Sequence, residues 1–398
     1  MNLIIKKKTI NELLISAFVL ISVIFPGDIY SLKKILFFTI CIVNTKLIIS
    51  SLASKKNGIL AFFGFVFPTI LFLYSSLMTG NILVSFSRSF AAYMFLLIFV
   101  VKHYKIDFEK ILLKSIKLIA FATVALALLD VSGLINVNTG FFRHEIMYGY
   151  GLGLMGKSPQ YPFYYKIFFK TSPLLVILLF KKFNDSKYFT TLLTLTALII
   201  SGTRANVLFP LFFLVAYYVF ATGNKSKLIK YAFIATVIAG SIIFSGVIIQ
   251  AFNEAFIERG EASDIVRQGH IRGIKELIAS DPWIILRGSG MGSEFYSYGR
   301  DAYVSSIEWS YIDLWRQMGF LFFFLFLVFI SLPLFYKHEV GRYKKYAYIT
   351  YLCIAATNPL LFSSTSYLVF IYMYYDLKKY KLDKEFTNEN GKYCISYI

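Results

Sequence analysis

Residues 311–335 read YIDLWRQMGFLFFFLFLVFISLPLF, and beyond Arg316 none of them is charged. A helix that crosses a hydrocarbon core of about 30 Å needs about 20 apolar residues, which this stretch supplies. Comparable runs recur on both sides of it, from near the N-terminus to Asp376. Over 398 residues the chain is 57% hydrophobic and only 16% charged, too little polar surface to coat a soluble globule of its size. The reading is an all-α fold: one integral membrane domain over residues 1–398, a polytopic bundle of about 12 transmembrane helices.

Charge placement orients the bundle. A formal charge of +19 would point to nucleic acid in a soluble protein, but here the lysines recur at every second break between apolar runs. They cluster at Lys6, Lys7 and Lys8, at Lys55 and Lys56, and within residues 102–117, 181–187, 225–230, 337–345 and 378 onward. By the positive-inside rule those breaks face the cytoplasm. The spans then fall at 11–27, 33–52, 58–78, 82–101, 112–135, 163–180, 188–202, 205–222, 230–250, 311–335, 344–358 and 360–377. Both termini are cytoplasmic, and residues 378–398 form a polar cytoplasmic tail. Lys33 and Lys34 land on the outer side, where they would snorkel, and the last two spans share a hairpin broken at Asn358-Pro359. The run at 13–25 follows three lysines as a signal peptide does, but no small-residue cleavage site comes after it, so it is read as a retained first helix. Cys41, Cys353 and Cys394 have neither disulfide-framework nor zinc-site spacing.

Two outer breaks are long: 136–162, the first outer loop, and 251–310, the large outer loop. A 60-residue loop in an otherwise economical chain usually carries a site. Within it, 265–279 has helical periodicity and stops before Asp281-Pro282, and Arg287-Gly-Ser-Gly-Met-Gly-Ser293 reads as a glycine-rich turn. Of ten arginines, Arg342 alone falls at a cytoplasmic break. Guanidinium is planar, permanently charged and able to grip phosphate or carboxylate through two parallel hydrogen bonds, so an outer face that selects arginine suggests anion recognition. Residues 251–316 nonetheless hold ten carboxylates against seven basic residues, so part of this arginine is expected in ion pairs. Arg88, about two turns inside an apolar span, and Arg204, in the turn Ser201-Gly-Thr-Arg-Ala205, have no carboxylate nearby in sequence. Ionisable groups at such depth line a cavity or pair across helices.

Three segments together resemble the O-antigen polymerase and ligase superfamily of bacterial envelope polysaccharide assembly. Ser201-Gly-Thr-Arg-Ala205 looks like its serine/threonine-arginine turn between two helices. Arg267, a helix, Pro282 and Gly288-Ser-Gly-Met-Gly292 are similar to its series of arginine, helix, proline and glycine-rich turn. Ile307-Glu-Trp-Ser-Tyr-Ile-Asp-Leu-Trp-Arg-Gln-Met-Gly319 looks like the segment that returns the large loop to the membrane, and Asn358-Pro359 resembles a late motif. The resemblance covers residues 140–377. Ligases of the superfamily tend to carry a histidine where Glu308 stands, which favours a polymerase; His270, elsewhere in the loop, is the alternative base.

The resemblance implies a glycosyltransferase in the bacterial inner membrane that moves a growing glycan from undecaprenyl diphosphate onto another lipid-linked repeat unit. Its partners would be the lipid-linked donor and acceptor, membrane lipid and a chain-length regulator protein, with no nucleic acid. Such chemistry needs cations for the departing diphosphate and a base for the attacking hydroxyl. Arg204 and Arg267 are the candidate catalytic arginines and Glu308 the candidate base, with partial burial at the loop's return expected to raise its pKa. Arg88, Arg143, Arg272, Arg287, His270 and Tyr311 are the candidate substrate-binding residues. The plainer role for Glu308 is a rim carboxylate paired with an arginine such as Arg316, and Asp313 reads as structural. The tyrosines and Trp309 of the outer loops could stack on sugars but read chiefly as an interfacial belt. No cofactor is expected, and with no DxD pair at an outer break, no divalent metal. The alternatives are a ligase transferring finished polymer to a lipid A core, and a lipid-linked sugar flippase, although no internal repeat is visible.

Overall fold

The computed structural model describes residues 2–27, 31–157, 165–221, 259–336 and 340–376, with backbone alone at 2–6 and 259–263. The expected span at 230–250, the start of the large loop, the tail, Tyr161, Tyr164 and Cys394 lie outside the described residues.

Apolar sequence becomes helix where the backbone must satisfy its own hydrogen bonds away from water. The first half of the chain gives α1 (Asn2–Ile24), α2 (Leu32–Val43), α3 (Thr45–Ala53), α4 (Lys55–Thr79), α5 (Ile82–His103) and α6 (Phe108–Val131). A π-helical stretch, Phe142–Gly149, then leads into an antiparallel hairpin of β1 (Gly153–Lys157) and β2 (Tyr165–Phe169). After it come α7 (Leu175–Asn184), α8 (Tyr188–Ile200) and α9 (Arg204–Ala221). The large loop supplies α10 (Arg259–Ser280), a single turn at Ile284–Arg287, and a second hairpin of β3 (Phe295–Ser297) and β4 (Ala302–Val304). The chain closes with α11 (Ser310–Phe335), α12 (Arg342–Ala356) and α13 (Ser364–Tyr375).

Among the described residues five helices, α4, α5, α6, α9 and α11, are long and apolar enough to cross a bilayer, and α2 with α3 forms a sixth candidate bent by 75°. The chain is a membrane protein built from helices. The bend has a local cause, because Asn44 turns its side-chain amide onto the Ile40 carbonyl and onto Asn11 of α1, competing with the helix ladder. One expected span takes a different form. The run at 163–180 starts as strand β2, not helix, and becomes helical after Ser172-Pro173, which leaves α7 with ten residues. The last pair is the hairpin expected at Asn358-Pro359, with α12 ending at Ala356 and α13 starting at Ser364.

Buried and half-buried polar contacts gather at each end of the bundle. At one end Lys344 on α12 reaches Glu109 on α6 and Asp376 beyond α13, each at 2.6 Å, while Tyr343 donates to Glu109 and Lys181 on α7 pairs with Asp185. At the opposite end Asp130, closing α6, accepts from Lys157 of β1 and Tyr165 of β2, and Ser310 of α11 donates to the Asn358 carbonyl. Lys33 is buried there rather than snorkelling, with its ammonium donating to the Pro26 carbonyl and the Ser364 hydroxyl. The loop that contains α10 joins the bundle at this second end.

Candidate functional site

The large loop is fastened to the bundle by a break in α11. Gly319 has φ +71° and ψ 176° inside that helix, a conformation open to glycine and costly for residues with a side chain. Losing the helical ladder there frees the carbonyls of Arg316 and Gln317, and the glycine-rich turn takes them: Ser289 and Gly290 donate their N–H groups at 2.9 Å each. The approach is so close that a Cβ on Gly288 would lie 2.4 Å from the Gly319 nitrogen. Met291 and Gly292 complete the seam, bonding the Ser75 hydroxyl of α4 and the Gln317 side chain.

Beneath this seam lies a buried polar hub that the sequence did not single out. Arg316, with its side chain 1% exposed, donates to Asp313 at 2.8 Å and to the hydroxyls of Ser289 and Ser293 and the carbonyls of Ser293 and Ser305. Gln317 bridges Asp313 and Ser305, and the Ile307 N–H also reaches Asp313. Every buried charge here has a partner, as burial demands. The signal was available: Asp313, Arg316 and Gln317 at i, i+3 and i+4 face one side of a helix next to an uncharged run. Tyr311, a candidate ligand, is half-buried on the same helix and packs against the main core.

Above the hub α10 lies across the β3–β4 hairpin and presents Arg267 and His270 one turn apart. Arg267 donates through Nε and Nη2 to one oxygen of Glu308, at 3.3 and 3.1 Å, and through Nη1 to Asp264. Glu308 is therefore paired, with Arg267 and not with Arg316, and with its side chain 41% exposed it is partly buried, as expected at the loop's return. His270 sits below, 2% exposed, with Nδ1 on the Ser297 hydroxyl at 2.6 Å and Nε2 without a hydrogen-bond partner among the described residues. Burial first, and then the Arg300 charge, hold its pKa below the usual histidine value against the opposing pull of Glu308 and Asp313.

The other candidate arginines divide. Arg272 pairs with Glu276 at 3.2 Å and stacks over the Tyr298 ring at 4.2 Å, and Arg287 pairs with Asp281, so both are engaged within the loop. Arg88 on α5 reaches up to the Ser305 hydroxyl at 2.7 Å, joining the bundle to the loop's return segment. Arg143 donates to the Asn138 carbonyl and lies over Tyr148, all within residues 136–162. Arg204 opens α9, and Gly202 before it (φ +64°) packs so closely on β2 that a Cβ would meet the Tyr165 carbonyl oxygen at 2.3 Å. Among the described residues no hydrogen bond or ion pair joins Arg204 to Arg267 or Glu308. Both nonetheless lie at the same end of the bundle, Arg204 through β2 and Asp130, and Glu308 through Ser310 and Asn358.

The constellation that results is a part-exposed carboxylate hydrogen-bonded to a more sheltered cation, close to the seam that joins the loop to one end of the bundle. It can bind an anion through Arg267 and accept a proton at Glu308. Compared with protein-family models, curated proteins and solved structures, the chain matches none.

Proposed function

We propose that the chain is a glycosyltransferase that polymerises oligosaccharide repeat units carried on undecaprenyl diphosphate, at the outer face of a bacterial inner membrane. In this reading the bundle has twelve spans with both termini in the cytoplasm, and residues 251–310 form its periplasmic loop. The order of the motifs quoted above supplies the family, and one observation carries the mechanism: Arg267 and Glu308, 41 residues apart, share a hydrogen-bonded pair that stays open to solvent.

An ion pair exposed to this degree contributes about 0–1 kcal/mol, so exchanging Glu308 for a diphosphate oxygen on Arg267 costs little. Asp264 keeps the other edge of the guanidinium oriented during that exchange. The freed Glu308 carboxylate takes the proton of the acceptor hydroxyl as its oxygen bonds to the anomeric carbon of the donor. The bond from that carbon to the diphosphate oxygen breaks, and the diphosphate leaves on its carrier lipid with its charge held by Arg267, and by Arg88 and Arg204 at the bundle mouth. Exposure favours Glu308 over His270 as the base, since a 2% exposed imidazole cannot touch a sugar hydroxyl without the loop opening.

The test is deletion of the gene followed by electrophoresis of surface polysaccharide. Collapse of a ladder to core plus one repeat is the result expected of a polymerase. Polymer retained on the carrier lipid would make the protein a ligase, and repeats stranded on the cytoplasmic face a flippase. Polymerisation by the purified protein is expected to survive chelators; activity that chelators abolish and added metal restores would reject the metal-independent step.

A further inference from the structure

A groove runs between α1, α6 and α8 at the end of the bundle opposite the loop. Its mouth is basic. Lys110, Lys114 and Lys117 stand at i, i+4 and i+7 on α6, one stripe of a helix face, and all three are exposed. Two carboxylates share the mouth, Glu12 and Asp107, but Asp107 is already engaged as the helix cap, accepting the Lys110 N–H at 3.0 Å. Lys117 also lies within electrostatic reach of Lys182 on α7, as do Lys181, Lys187 and Asp185. The mouth thus carries surplus positive charge.

Deeper along the same stripe the lining changes to Leu118 and Phe121, both exposed, facing Leu193 of α8. At 1.5 Å per residue, Lys110 to Phe121 covers about 16 Å along a helix that crosses the bilayer. Cationic at the helix end and hydrocarbon further in, the groove has the polarity gradient of an amphiphile and not that of a soluble anion.

We infer that this groove holds one acidic glycerophospholipid, its headgroup phosphate on the lysine stripe and an acyl chain against Leu118, Phe121 and Leu193. A lipid seated there bridges α1 to α6 and stabilises their packing, whatever reaction the other end performs.

The full-length protein, purified and delipidated in a neutral detergent, is titrated with phosphatidylglycerol, with phosphatidylcholine of the same chains, and with inorganic phosphate, and Tm is followed. Phosphatidylglycerol is expected to raise Tm well beyond phosphatidylcholine, and inorganic phosphate to leave it unchanged. The Lys114→Gln/Lys117→Gln variant loses at least half of that rise, while Lys55→Gln/Lys56→Gln, with the same charge removed elsewhere, keeps it. Native mass spectrometry of the unaltered protein should retain phosphatidylglycerol in preference to phosphatidylcholine. Equal shifts for the two lipids, a full shift from phosphate alone, or an undiminished shift in the Lys114/Lys117 variant would overturn the site.

Discussion

The part-exposed Arg267–Glu308 pair contributes little to stability, so the roles proposed for it are separable from folding by mutation. Glu308→Gln keeps the shape and a hydrogen-bond acceptor for Arg267 while removing the proposed base. It is expected to lower polymerisation by about 10²- to 10⁴-fold with Tm almost unchanged, and near-normal chain length in cells would remove Glu308 from the reaction. His270 behaves in the opposite way. Its neutral form is favoured in the native loop, so acidification below the ordinary histidine value, about 6.5, protonates the unfolded chain first. Stability should therefore fall as pH drops from about 6.5 toward the depressed native value, and be independent of this group above that window. Thermal unfolding across about pH 7.5 to 5 should show that loss in the native sequence and a shallower one in His270→Gln; parallel profiles would exclude the residue. The arginine-rich character of the loop was legible in the sequence, and Arg267 and Glu308 stood out there as candidates. That the two pair was not, because their meeting depends on how α10 crosses the β3–β4 hairpin, whereas Arg316, two turns beyond Glu308, is the nearer choice along the chain.

Helix α11 shows how an element in lipid manages a backbone that its own sequence interrupts. Pro333 has no N–H to offer the Phe329 carbonyl four residues back, and in hydrocarbon that acceptor needs another donor. Tyr374 of α13 supplies it at 2.6 Å, and Tyr348 of α12 likewise bonds the Ile330 carbonyl at 2.7 Å. Tyr374→Phe should then cost about 1–3 kcal/mol, the penalty of an orphaned buried acceptor. Adding Pro333→Ala, which restores a helical N–H to the same carbonyl, should recover part of that loss. Thermal unfolding of the four proteins of this cycle measures the coupling, and strictly additive effects would show that the hydroxyl does not serve the proline gap. Hydropathy revealed the helix and its proline, but nothing in a linear pattern says which tyrosine on another helix closes the gap. The strands were harder still. The apolar run at 163–180 looks like a span until Lys166 and Lys170 are set against Gly153, whose missing Cβ lets β1 lie against the Phe168 carbonyl.

Among the described residues the lysine clusters and most of the arginines lie at opposite ends of the bundle, although Lys33 and Lys157 share the arginine end. The lysines of residues 102–117 and 181–187 lie at the end where α6 starts, α7 ends, and Lys344 joins Glu109 to Asp376. Arg88, Arg204, Arg267 and Arg316 lie at the other end, around the loop and the Asp130 cluster. The sequence predicted this polarity because lysine clusters obey a rule of membrane insertion that needs no knowledge of packing. The number of spans follows less directly, since the short helices α7, α8, α12 and α13 fall below the length that would cross a bilayer unaided. The contacts fix which segments share an end, and the insertion rule then assigns the lysine end to the cytoplasm. Cysteine labelling in intact cells tests that assignment directly. In a background with Cys41, Cys353 and Cys394 replaced by serine, Tyr303→Cys on β4, 71% exposed, should react with a membrane-impermeant maleimide. Lys110→Cys, exposed at the opposite end, should react only after permeabilisation. The reverse pattern would place the arginine-rich loop in the cytoplasm, where a polymerase acting on exported repeats has no substrate, and the proposed reaction would fail with it.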